Sequence, residues 1–158
     1  MVAKLRGLSP ADISRIGAEP AYLSAAISGA HPLATLELAR SWHGLHYLLC
    51  GDAWDGPEPW KHAVLGGVEV GEDQGSGAAR VLGPELVKRV AQALAAVSPA
   101  AMVAERFRPA EFEKADIYPG GWEFSDGWPR ALEDDLVRLC AFYQERAAAA
   151  DAVLISIA

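Results

Sequence analysis

Apolar side chains recur along this chain in two rhythms, and the switches between them mark out its elements. Residues 2–8 alternate apolar and basic side chains and run into Ser9-Pro10. That pattern predicts a strand followed by a helix, with Ser9 at the cap and Pro10 in the first turn. A second helix is predicted over 21–27, stopped by Ser28-Gly29. In residues 33–49, Leu38, Trp42, Leu45, His46 and Leu49 recur at spacings of three and four. The reading is one long helix closed by Gly51 and central to the core.

From Gly51 to Gly83 the periodicity breaks and Gly and Pro become dense. Only a short helix at 60–65 and strands at 68–70 and 79–82 are expected there. Pro84, Pro99 and Pro109 then stand where first-turn prolines belong, with Ser98 as a cap and Leu86, Val90, Leu94 and Val97 as an inward face. After a turn at 117–121, Pro129 opens a long helix carrying Leu132, Leu136, Leu139, Cys140 and Tyr143, which fades into the alanines of 147–150. The last apolar run, 152–157, is continuous and rich in β-branched residues. It reads as a strand buried on both faces and paired with the N-terminal strand. The fold class is therefore α+β: a helix-rich single domain over 1–158 with a small sheet formed by the N-terminal and C-terminal strands.

Composition narrows the function. A chain of 158 residues that is 51% hydrophobic can bury one core without staples. Its net charge of −7 and scattered basic residues oppose a phosphate-binding or membrane-binding face, so neither nucleic acid nor a membrane is an expected partner. The N-terminus has no apolar core of a secretory signal, and no apolar run reaches the roughly 20 residues of a membrane span, so a cytoplasmic protein is expected. Cys50 and Cys140 sit in apolar helical patterns and read as buried free thiols.

The chemistry-bearing candidates are few. His43 and His46 stand three apart on one helix, but no third and fourth ligand accompanies them, so no metal or cofactor is expected. Gly66, Gly67, Gly71, Gly75 and Gly77 lack the endings of a phosphate loop and read as a turn-rich surface segment. Glu72, Asp73, Asp116 and Glu123 are carboxylates beside turns, where general acid–base work would need two of them at different pKa values. No nucleophile elbow is present, and neither cysteine lies in an electropositive loop. Trp54, Trp60, Trp122 and Trp128 lie in or beside acidic loops, where aromatic faces flanked by carboxylates suit sugars, cations or an Arg-rich peptide.

Four stretches together, Trp42-His43-Gly44-Leu45-His46-Tyr47-Leu48-Leu49-Cys50-Gly51, Ala63-Val64-Leu65-Gly66-Gly67, Arg80-Val81-Leu82 and Asp116-Ile117-Tyr118-Pro119, resemble the YfbM-like family of bacterial proteins, a domain family of unknown function. The resemblance implies a single cytosolic α+β domain and brings no catalytic residues with it. It places His46, Asp73, Arg80, Asp116 and Tyr118 among core-like neighbours. The expectation is that these groups converge on one cleft beside the Trp42 helix, or that Arg80 bridges to Asp116 or Asp73 as a loop clamp.

Two readings follow. The first is a small non-enzymatic binding domain whose loop face, with Trp54, Trp60 and Trp122, engages a basic protein or a small ligand. Its binding residues would be His43, His46, Arg80, Asp116, Tyr118, Trp60 and Trp122. The second is a hydrolase-like enzyme in which His46 works with Asp116 or Asp73, around a divalent metal in one version.

Overall fold

The computed structural model describes residues 1–73 and 75–158. Strand β1 (Ala3–Leu8) pairs antiparallel with β5 (Ala152–Ile157), Ala3 opposite Ile157 and Leu8 opposite Ala152. This pair is the centre of a larger sheet. With β2 (Thr35–Leu38), β3 (Val68–Val70) and β4 (Ala79–Leu82) it forms five strands in the order β2-β1-β5-β4-β3, every neighbouring pair antiparallel. A central strand must hide both faces, which is why β5 is apolar at successive positions: Val153 and Ile155 enter the main core, Ala152 and Leu154 a second one.

Helices close both faces. Helices α1 (Pro10–Ala18) and α2 (Pro20–Ser28) cover the second core with Ile13, Ile16, Leu23 and Ala26. Helix α1 starts as its sequence demands: the Ser9 hydroxyl accepts from Asp12 N–H and the Asp12 carboxylate accepts from Ser9 N–H, a reciprocal cap. The main core lies on the other face under α3 (Trp42–Cys50), α4 (Pro84–Ala95), α5 (Pro99–Arg106) and the long α7 (Trp128–Ala148), with α6 (Pro109–Lys114) at its edge contributing Phe112.

Residues 33–49 are not one helix. Thr35–Leu38 is an edge strand with Leu36 and Leu38 buried between exposed Thr35 and Glu37, and α3 begins only at Trp42. The spacing of Leu38 from Trp42 imitates a helical turn, but Leu38 is placed in the core by a period of two. The helix expected at 60–65 is a single 3₁₀ turn at Trp60–His62. On α4 the buried face is Val87, Val90, Ala91 and Leu94, with Leu86 only half-buried, and Ser98 occupies the cap of α5 without a side-chain capping bond. Cys50 and Cys140 are free thiols, each half-buried rather than sealed.

Helix α3 is wedged tightly enough that one position must lack a side chain. A Cβ on Gly44 would stand 2.5 Å from the ring edge of Trp122 and 3.1 Å from a Leu132 methyl. Gly44→Ala is therefore expected to lower stability by about 1–3 kcal/mol through overpacking, despite the better helix propensity of alanine. Urea unfolding of the two proteins checks this.

Candidate functional site

Helix α3 sends its two histidines toward the loop that follows it, and each ring is held by backbone groups. His43 Nε2–H donates to the Ala53 carbonyl at 2.8 Å, while Nδ1 accepts from Tyr118 N–H at 2.9 Å. This arrangement needs the neutral imidazole with its proton on Nε2. His46 is 0% exposed; its Nε2–H donates to the Asp55 carbonyl at 3.2 Å and the Cys50 thiol faces Nδ1 at 3.8 Å. Burial pushes His46 down from 6.5 to about 4, and burial likewise lowers His43. Both rings are thus uncharged at neutral pH, and His43 has no free lone pair for a cation or a substrate proton.

The loop itself is shaped to be gripped this way. Gly51 ends α3 in the left-handed region at φ 71°, as a Cβ would disfavour. The Asp52 carboxylate accepts from Trp54 N–H and Asp55 N–H, both at 2.9 Å, closing an Asx turn. At Gly56 a Cβ would press to 2.5 Å from the Cβ of Cys50, so the loop runs hard against the end of the helix.

Four rings stack in consequence. Trp42 lies nearly parallel to His43 at 4.8 Å, Tyr118 stacks on Trp42 at 5.7 Å, and Trp54 leans on His43 at 4.4 Å. Trp54 is nevertheless 67% exposed, because only part of its surface rests on the imidazole. Beside it opens a pocket of about 370 Å³, within the usual range of small-ligand sites, walled by Trp42, Trp54, Leu65 and Ile157 and carrying Arg80 and Ser76 as side-chain polar groups. Arg80 projects from β4, where it donates to the Leu65 carbonyl and to Glu69, its cross-strand neighbour, both at 3.2 Å.

The expected cleft of His46, Asp73, Arg80, Asp116 and Tyr118 does not assemble. His46 is sealed beneath the loop, with a carbonyl and a thiol as its partners rather than a carboxylate. The Asp73 carboxylate accepts from Gly75 N–H and Gly77 N–H, shaping its own turn. Asp116 is exposed, in a left-handed backbone at φ 54°, and Arg80 pairs with Glu69 rather than with Asp116 or Asp73. Tyr118 and Arg80 do reach the area, one through the ring stack and the other through the pocket.

Trp122 is not a surface residue. It is 1% exposed, donates from Nε1 to the Ile117 carbonyl at 2.7 Å and packs among Phe112, Trp128 and Phe107. Trp60 is half-buried against the core. Of the loop-face tryptophans read from the sequence, Trp54 is the one that lines the pocket, with Trp42 of α3 beside it. The sequence signal for Trp54 was its place in a short acidic loop directly after a helix with inward-facing histidines.

Nucleophilic chemistry has little support at this end of the molecule. Burial, with Asp52 and Asp55 nearby, pushes the Cys50 thiol up to about 12, so it carries no thiolate at neutral pH. Among the described residues no group of three or more His, Cys, Asp or Glu side chains is disposed to hold a metal ion. A second, more open groove of about 420 Å³ runs between the end of α3 and α5–α6. Its arginines and glutamates offset one another, and Arg106 is engaged with the Leu48 carbonyl at 2.9 Å.

Fold and site together define a single α+β domain with a pocket raised on a histidine-anchored loop. Residues 1–156 match the family described as a domain of unknown function, DUF1877, and the chain belongs to it. Its structure is similar to the crystal structure of YfbM from Escherichia coli, a protein of unknown function, with a TM-score of 0.76 at 18% identity over 98% of each chain. At that identity the likeness speaks for the fold alone. No curated protein matches the chain.

Two outcomes test the histidine anchors. His43→Phe keeps a ring in the stack but strands the Ala53 carbonyl and the Tyr118 N–H; it is expected to cost about 2–5 kcal/mol in chemical unfolding. For His46, protonation favours the unfolded chain, which takes up the proton below 6.5 while the folded one resists to about 4. Stability contributed by the neutral ring is full above pH 6.5 and is lost as pH falls toward 4, by up to about 3 kcal/mol. Urea midpoints across this interval should fall in the wild type and lose much of that slope in His46→Asn.

Proposed function

We propose that this domain binds a small molecule in the pocket between Trp42 and Trp54 and has no catalytic step of its own. The observation that carries the reading is Trp54, a large aromatic left 67% exposed yet held from below by a tilted contact with the His43 ring and from its backbone by the Asp52 turn. An exposed indole normally loses side-chain freedom when a ligand covers it; here the residue is already held, which lowers the cost of binding. The neutral, fully engaged histidines and the high thiol pKa fit scaffolding of a pocket better than acid–base or nucleophilic work. A basic protein partner would have drawn on Trp122, which lies in the core.

We place the domain in the bacterial cytosol. Two unpaired cysteines fit a reducing compartment, and among the described residues no single helix is long and apolar enough to cross a membrane.

A thermal-shift screen of aromatic small molecules tests the reading. Compounds that raise the melting temperature of the wild type should lose that effect in Trp54→Ala, which removes the exposed wall and leaves the His43–Ala53 bond in place. A screen without hits, or hits that persist in the variant, overturns it.

A further inference from the structure

The chain carries a net charge of −7, yet among the described residues that line the Trp42–Trp54 pocket there is no aspartate or glutamate; the charged side chain on its wall is Arg80, and Met1, whose α-ammonium donates to the Tyr118 hydroxyl, also lines it. This inversion of sign is local. Arg80 has five N–H donors, and among the described residues one is given to the Leu65 carbonyl and one to Glu69. The Glu69 contact is a surface bridge at 3.2 Å between side chains 32% and 65% exposed, the kind that contributes little and yields readily to a better acceptor. The guanidinium fork therefore retains donors for a second, incoming carboxylate or phosphate.

The apolar walls supply the other half of the recognition. Trp54 rests on His43 through one part of its ring and presents the rest to solvent, and Leu65, Ile157 and Trp42 continue the surface inward. Such a surface takes a flat aromatic body by stacking. An occupant that brings an ammonium would meet Arg80 as a like charge, which favours an anionic group instead.

We infer that the pocket takes a small aromatic anion, its ring on Trp54 and its anionic group on Arg80. The inference rests on the small-molecule reading above and adds the sign of the ligand's charge and the residue that reads it.

Three matched probes separate the two claims: indoleacetate, indoleacetamide and tryptamine carry the same ring with an anionic, neutral or cationic end. Calorimetric titration should give the acid about tenfold tighter binding than the amide in the wild type, with the amine weakest, as one charge-assisted contact implies. In Arg80→Gln the acid and the amide should bind within a few-fold of each other, and in Trp54→Ala all three should weaken. Equal binding of acid and amide by the wild type, with both lost in Trp54→Ala, overturns the anion assignment and leaves the pocket reading standing. Preference for the amine overturns the assignment as well. A preference for the acid that survives in Arg80→Gln removes Arg80 from the role. No binding of any probe by the wild type, or binding that Trp54→Ala leaves unchanged, counts against the pocket itself.

Discussion

The two backbone hydrogen bonds of His43 tie helix α3 to the loop at Ala53 that follows it and to the turn at Tyr118, far away in sequence. Each bond uses a different nitrogen, so the ring works only when neutral and only with its proton on Nε2. A helix end, an Asx turn and an aromatic stack all take their positions from this ring. Replace it by an apolar residue and two half-buried backbone groups lose their partners at once, which is why so small a contact governs so much of the surface above it. His46 repeats the device one turn later through the Asp55 carbonyl, so the loop is stapled to its own preceding helix at two points.

Much of the frame was legible in the sequence because its signals were local. Ser9-Pro10, Pro84, Pro99 and Pro109 start helices through the chemistry of the first turn, and the apolar run of 152–157 reads as a doubly covered strand because nothing polar interrupts it before Ser156. The error over 33–49 came from two elements whose buried residues happen to fall in helical register: Leu38 closes a strand and Trp42 opens a helix, and the break lies in the unremarkable Ala39-Arg40-Ser41. Sequence spacing records which positions are buried, but two periods placed end to end can imitate one.

The site was harder to read, for a physical reason. Histidines and carboxylates draw attention as chemical groups, yet His43, His46, Asp52 and Asp73 all direct their polar atoms to backbone groups. Such bonds depend on where the main chain of a loop runs, and composition does not report that. Trp122 misled in the same way: its neighbours in sequence are Gly and Glu, while its neighbours in space are Phe107, Phe112 and the bare backbone of Gly44. The polar residue that does face open space, Arg80, gained its place from a strand register that sets it opposite Glu69 on one side and Ile155 on the other.

A fold that persists at 18% identity over 98% of two chains is tolerant of nearly every side chain, so membership in the family constrains the sheet and helices and leaves the chemistry to be argued from each pocket. In this chain the argument turns on coupling. The wall that would meet a ligand, Trp54, stands on an imidazole whose neutrality is also a condition for the Tyr118 turn and the Ala53 loop to stay in place. Burial enforces that neutrality by lowering the pKa of His43. Recognition and stability here share one ring, and a substitution that improves either must leave both of its nitrogens with their backbone partners.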